Sequence, residues 1–312
     1  MDRRDPRDAP AGRRIGDGAG GASSISGRHR GAAADRLVGR ACRRAGRRVS
    51  SRGLVGLDID GTILLQDETL SPGVVEAVGE VRDAGYEVML ATGRSWGGTK
   101  RYIDQLGLMA EYAVCSNGAV VMRRVGDEWE RWRVEVFDPA PVLALLRETL
   151  PEARYMVELG SGERLYTDVL DDWTLDAGRE VDFDELMQQP VSRIVVVSPE
   201  HDEADFQRIV AEAGLNEVSY AVGWTAWLDI APKGVDKGTA LERVRTQLGT
   251  PREKVLVAGD GRNDLGMFAW ALAGGGRAVA MGQAVDEVQN AAGELTGAVE
   301  DGGLASALRT LL

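Results

Sequence analysis

Residues 53–62 read GLVGLDIDGT, and the reading of this stretch decides the fold. Leu54, Val55, Leu57 and Ile59 form a short apolar run, interrupted by Asp58 and closed by Asp60, Gly61 and Thr62. Such a run fits a strand buried on both faces, as at the centre of a parallel sheet. Packing gives no reason to end it with two carboxylates. Neighbouring ionised carboxylates repel, and burying them costs on the order of several kcal/mol unless a cation or proton compensates. Residues two apart on a strand point to the same side, so Asp58 and Asp60 face one site, and Gly61 lets the chain turn away from it. A hard divalent cation with a carboxylate nucleophile accounts for the pattern. The competing reading is a calcium loop, which also begins D-x-D-G. It needs further alternating oxygen ligands ending in Glu, whereas Ile63, Leu64 and Leu65 follow here.

Working outward, Ser71-Pro72 reads as N-cap and first helical position, with Val74, Val75, Val78 and Val81 at helical spacing and Gly85 to stop the helix. Residues 86–91 (YEVMLA) form a second strand ending in Thr92-Gly93-Arg94; a helix over 95–106 and a third strand over 112–115 follow, ending in Ser116-Asn117-Gly118. The order β-α-β-α-β implies a parallel sheet with crossover helices. The pattern then changes. Residues 128–137 (EWERWRVEVF) alternate polar and apolar, as in a sheet with one wetted face. A helix over 139–150, hairpin strands at 154–159 and 163–167, a strand at 191–197, a helix over 203–213 and more strand over 218–230 complete an inserted α+β unit at 122–226. The parallel pattern resumes near Asp229. It gives a helix over 235–248, a strand at 254–258 ending in GDGRND, a short strand at 278–281 and a last helix from 303 to 311. The fold class is therefore α/β, a doubly wound, Rossmann-like parallel core (53–121 and 227–312) with an inserted domain.

The net charge of −12 hides an asymmetry: residues 1–52 carry 14 Arg and 5 Asp, so the remainder stands at −21. This Gly-, Ala- and Arg-rich segment has almost no large apolar residues and reads as a disordered basic extension. Residues 35–50 have the pattern of a basic amphipathic helix, which raises nucleic-acid, membrane-surface and targeting readings. The acidic remainder argues against nucleic acid as the main partner. No segment has the length of a membrane span, and Cys42 and Cys115 have no metal-ligand spacing, so a cytoplasmic protein is expected. Six of the seven tryptophans, at 96, 129, 132, 173, 224 and 227, lie in and around the insert and read as sheet and core packing.

Every polar cluster lies at the carboxyl end of an expected parallel strand, where open α/β sheets put their ligand sites. Asp58/Asp60, Thr92, Asn117 and Asp260/Asp264, with Lys237 at a helix start, suit phosphoryl transfer: oxygen ligands for Mg2+ and donors for phosphate oxygens. The GDGRND segment lacks the third glycine of a dinucleotide loop.

This ordered set resembles the haloacid dehalogenase-like phosphatases of the Cof-type branch, through LDIDGTIL at 57–64, ATGR at 91–94, SNGA at 116–119, LDIAPKGVDKGTAL at 228–241 and VAGDGRNDLGMF at 257–268. AVAMGQA at 278–284 and Asp301-Gly302 fit as well. The resemblance implies Asp58 as the nucleophile that forms an aspartyl-phosphate, and Asp60 as general acid and base whose backbone carbonyl also binds metal. It implies phosphate contacts from Thr92, Gly93, Asn117 and Asn263. It gives charge balance to Lys237, rather than to nearby Lys233, and an Mg2+ shell completed by Asp260 and supported by Asp264. Arg94 stays open between substrate contact and bracing. In that family the position of the insert is that of a cap that shapes substrate choice. The expected activity is hydrolysis of a small phosphorylated metabolite. Transfer of the same phosphoryl group to a sugar hydroxyl, and a non-catalytic binding module, stand as alternatives; the oligomeric state is left open.

Overall fold

The computed structural model describes residues 51–169, 178–201, 204, 206, 208, 209, 212, 215, 218–222 and 227–312. The expected basic extension up to residue 50, Trp173, Trp224 and most of the expected 203–213 helix lie outside the described residues.

The opening run becomes β1 (Leu54–Leu57), buried along its whole length. Helix α1 (Val74–Asp83) returns the chain to β2 (Glu87–Leu90), and α2 (Trp96–Gln105) leads to β3 (Tyr112–Cys115). Next come β4 (Val120–Val125), β5 (Glu128–Val134) and α3 (Ala140–Thr149). Strands β6 (Arg154–Leu159), β7 (Arg164–Tyr166), β8 (Gly178–Glu180), β9 (Val191–Val197), β10 (Val218–Val222) and β11 (Trp227–Pro232) follow. Helix α4 (Lys237–Leu248), β12 (Val255–Gly259), α5 (Leu265–Ala273), β13 (Arg277–Ala280), α6 (Asp286–Ala291), β14 (Glu294–Leu295) and α7 (Gly303–Arg309) end the chain.

The core sheet is parallel, in the order β14-β13-β12-β1-β2, with β1 enclosed between β12 and β2 and Leu54 opposite both Val255 and Glu87. Alternate residues of β1 serve different layers, as the two-residue period requires. Val55 and Leu57 join Val74, Val78, Leu304 and Leu308 of α1 and α7, whereas Leu54 joins Leu241 and Phe268 of α4 and α5. Each fully buried Leu or Val of this kind contributes about 1.5–3 kcal/mol. Helices on both faces leave only the strand ends open to a ligand. A single parallel bridge, Ala91 to Val114, carries the sheet on to β3.

Beyond β3 the expectation needs correcting. Strand β3 pairs antiparallel with β4, and β4 with β5. Val120, Met122, Trp129 and Val134 pack against the core cluster of β1. The expected insert boundary at 122 thus falls inside a core strand, because polar-apolar alternation marks a half-wetted sheet without saying which body it covers. At the other end, β11 pairs with β10 and β9, so it completes the insert's sheet after the expected boundary at 226. That sheet has the order β10-β11-β9-β6-β7-β8 and its own core, with Leu143 and Leu146 of α3 packed among Val157, Ile194 and Ile230.

Helix starts show where local sequence rules hold. Ser95 caps α2, accepting from Gly98 N at 3.5 Å, and Asp236 and Thr239 form a reciprocal capping box on α4. Ser71 does not cap α1: its hydroxyl donates to the Val299 carbonyl at 2.6 Å, tying this turn to the C-terminal segment, and α1 starts after Gly73. Arg52 is already part of the core, donating its backbone N–H to Gly85 O at 2.8 Å.

Candidate active site

The chain places its polar groups just past the strand ends: Asp58 after β1, Thr92-Gly93 after β2, Asn117 after β3 and Asp260 after β12, with Lys237 opening α4. Lys237 is fully buried, and its Nζ donates to Asp58 Oδ1 and to Asp264 Oδ1, both at 2.6 Å. Asp264 Oδ2 accepts from the backbone of Asp260 at 3.0 Å and of Gly261 at 2.9 Å. Asp264 therefore fixes both Lys237 and the Asp260 loop. Asp260 Oδ1 accepts from the buried Thr62 hydroxyl at 3.2 Å. Gly61 is required where it stands, since its φ is +68° and a Cβ there would lie 2.1 Å from Asp260 Oδ2.

Oxygens of Asp58, Asp260 and Asp264 lie within 4.8 Å of one another. Burial, then Asp264, pushes Asp58 well above the usual carboxylate range against the pull of Lys237. Burial, again followed by Asp264, pushes Asp260 up to about 7. Burial alone would lower Lys237, but Asp264 and Asp58 outweigh it and hold the ammonium above its ordinary value. Three carboxylates face one ammonium, leaving two negative charges when all ionise. A divalent cation supplies that compensation, and a hard oxygen set suits Mg2+. The donor set fits the ion. Asp58 and Asp260 have carboxylate oxygens to offer it, whereas both oxygens of Asp264 are already engaged.

Asp60 lies apart from this cluster, its side chain 57% exposed. Arg94 grips it: Nε lies 2.9 Å from Oδ2 and Nη2 2.5 Å from Oδ1. Nη2 also reaches Glu68 at 3.0 Å, and the guanidinium lies over the Tyr102 ring. In this structure Arg94 therefore braces Asp60.

Thr92 is buried, and its Oγ1 accepts from Arg94 N at 3.0 Å, which leaves the hydroxyl proton to donate. A Cβ on Gly93 would come within 3.1 Å of Asn117 Oδ1 and 3.3 Å of Asn263 Nδ2, so glycine keeps this corner open. Asn263 Nδ2 donates to Asn117 Oδ1 at 3.0 Å, and Asn117 Nδ2 donates to Asp229 Oδ2 at 2.9 Å. All nine expected site residues thus gather around the strand ends, with Asp60 set to one side.

Sequence reasoning missed four contributors. Thr62 is the hydroxyl on Asp260, and Gln283 donates to Gly61 O at 2.5 Å while accepting from Val299 N at 3.0 Å. Arg193 and Asp229 form a buried pair from the insert's sheet. Thr62, Asp229 and Gln283 stood within the motifs already quoted, so the signal was present without a role. Arg193 had no sequence signal.

The haloacid dehalogenase-like hydrolase family matches residues 55–308, and the chain belongs to it. The curated relatives it matches are named phosphatases. It is 26% identical over 266 residues to the 5-amino-6-(5-phospho-D-ribitylamino)uracil phosphatase YitU of Bacillus subtilis, covering 82% of this chain and 96% of that one. It is 28% identical over 258 residues to the pyridoxal phosphate phosphatase YbhA of Escherichia coli, covering 76% and 90%. A solved sugar phosphatase of HAD subclass IIB shares the fold with a TM-score of 0.70 at 18% identity, covering 83% of this chain and 98% of that one. No helix among the described residues is long and apolar enough to cross a membrane.

Proposed function

We propose that this chain is an Mg2+-dependent phosphatase that hydrolyses a small phosphorylated metabolite, a sugar phosphate or similar, through an aspartyl-phosphate on Asp58. The observation that carries this reading is the buried Lys237 held at 2.6 Å from both Asp58 and Asp264. It occupies one oxygen of Asp58 and balances its charge while the other oxygen is left to attack. Asp58 Oδ2 forms a bond to phosphorus as the bond to the leaving oxygen breaks. Asp60 turns from the Arg94 fork to protonate that oxygen, then takes a proton from the water that attacks phosphorus and releases Asp58. Thr92, the Gly93 amide, Asn117 and Asn263 hold the phosphoryl oxygens, whose spread charge makes positioning and electrostatics the main contributions. Asp58, Asp260 and the Asp60 carbonyl would hold Mg2+, with Asp264 in support. When bound, the ion draws charge from the phosphoryl oxygens.

The insert is proposed as the cap that selects the leaving group. Its sheet reaches the site directly: Arg164 Nη2 donates to Ser95 Oγ at 2.5 Å, and Asp229 holds Asn117. The named relatives act on a phosphoribitylamino-uracil and on pyridoxal phosphate, which is consistent with a small phosphorylated metabolite here. The test is a panel of phosphorylated metabolites with purified protein, measuring free phosphate with Mg2+ and with chelator. Phosphate release that needs Mg2+ supports the proposal. Phosphosugar formed without free phosphate would replace it with phosphotransfer, and no turnover on any phosphate ester would overturn it.

A further inference from the structure

We propose that Asp229 and Arg193 are positioning residues that fix which way Asn117 and Asn263 present their amides to the phosphate. The inference rests on the phosphate contacts just assigned to the two asparagines. Four side chains form one line. Arg193 Nε and Nη2 donate to Asp229 Oδ1 and Oδ2 at 2.6 and 2.8 Å. Asp229 Oδ2 accepts from Asn117 Nδ2 at 2.9 Å, and Asn117 Oδ1 accepts from Asn263 Nδ2 at 3.0 Å.

The chemistry of the line permits one direction only. A guanidinium has no acceptor, so Asp229 must accept from it. Asp229 Oδ2 takes a donor from Arg193 and faces Asn117 as an acceptor, the Arg193 charge holding the carboxylate ionised against the upward push of burial. Asn117 must then turn its NH2 to Asp229 and its carbonyl to Asn263, and Asn263 must answer with NH2. One hydrogen of that NH2 serves Asn117. The nitrogen also lies 3.3 Å from where a Cβ on Gly93 would be, facing the open corner. A phosphate oxygen there meets an N–H. Reversal of either amide would put a carbonyl oxygen against the anion.

The start of the line belongs to the insert. Arg193 lies on β9 and Asp229 on β11, on the sheet face opposite Ile194 and Ile230. Side-chain exposures of 8% and 11% keep the pair out of water, where the directional preference is strongest. The insert therefore takes part in holding the phosphoryl group as well as in choosing what it is attached to.

The test uses inorganic phosphate as a competitive inhibitor of p-nitrophenyl phosphate hydrolysis by the full chain. Asn263→Ala should raise the Ki for phosphate about tenfold, the loss of one good hydrogen bond to an anion. Asp229→Asn frees both amides to reverse and should raise Ki about three- to tenfold. In the Asn263→Ala background it should add nothing, because it acts through Asn263. Asn117→Gly breaks the line while leaving the Arg193–Asp229 pair intact, and glycine accepts the left-handed backbone at that position (φ 50°). It should raise Ki at least as far as Asp229→Asn, since it also removes the contact of Asn117 itself. If Asp229→Asn does not fold, the double variant of Asn117→Gly with Asn263→Ala decides the matter, a Ki below the product of the two single effects supporting the relay and the full product overturning it. If Asn263→Ala raises Ki while Asn117→Gly and Asp229→Asn stay within about twofold of wild type, the relay is overturned and the phosphate contact stands. If Asn263→Ala leaves Ki unchanged, both are overturned.

Discussion

The parallel core sheet and the insert's sheet bring polar side chains to the site in different ways. The parallel core sheet is covered on both faces by helices, so its chemistry sits where strands end: Asp58, Thr92, Asn117 and Asp260 each follow the last residues of a strand. The insert sheet, antiparallel except where β7 meets β8, is covered on one face by α3 and offers the other face along its length. In β6, Tyr155, Val157 and Leu159 turn to the insert's core, while Glu158 turns away and accepts from Ser116 at 3.3 Å. Asp229 and Arg193 share that opposite face. Strand ends converge on a point and suit a small invariant group such as a phosphoryl. A strand face spreads residues over an area and suits a variable leaving group.

The sharpest way to break this division is at the point. Asp58→Asn keeps the shape but removes the attacking anion, and turnover should fall by about a thousandfold or more, since residues acting as a unit lose nearly everything together. A variant that keeps a tenth of the wild-type rate sinks the assignment. Lys237→Met should follow, with kcat reduced about a hundredfold or more. It should also lower Tm, because Asp58 and Asp264 would lose the only cation within hydrogen-bond reach among the described residues. Unchanged Tm would mean that the buried ammonium compensates nothing.

The area is tested by replacing residues 137–232 with a short Gly/Ser linker and comparing p-nitrophenyl phosphate with the best metabolite substrate. The preference in kcat/KM should drop by about tenfold or more while aryl phosphate hydrolysis persists weakly. Preference retained without the insert would move specificity back to the strand ends.

A smaller effect concerns pH. Asp260 stands at about 7 and Asp58 is raised in the same direction, so the folded, metal-free protein binds more protons than the unfolded chain. Its stability should therefore be greatest near the ordinary carboxylate range and fall as pH rises through about 7. Thermal melts in chelator from pH 5 to 8 should show that decline, and excess Mg2+ should flatten it. A melt independent of pH in chelator would show that the cluster is compensated without a cation. Removal of residues 1–50 should change neither Tm nor kcat, and a marked loss of either would assign that segment a place on the core.

The strand ends were legible because packing cannot explain carboxylates, an amide and a lysine there. The insert's limits were not, since β5 alternates like a strand of either body, and only pairing shows that it belongs with β3. Ser71 followed a local rule that a tertiary bond to Val299 overrode. The sequence leaves Arg94 open between substrate contact and bracing, because a guanidinium can serve many partners and only geometry chooses Asp60. Arg193 stayed hidden for a simpler reason. One arginine in a run of valines reads as the wet side of a strand, yet here that side is closed against Asp229.

The place of β1 between β2 and β12 has a consequence for how the chain is made. Leu54 needs Val255 as its neighbour, about two hundred residues later, and the intervening segment includes a complete second sheet. During synthesis the insert can assemble from nearby sequence, while β1 waits with one edge unpaired until β12 emerges. Such long-range parallel pairing is slow and leaves apolar edges open to other chains. The yield of folded protein should therefore respond to growth temperature and chaperone supply during translation more than its finished stability suggests.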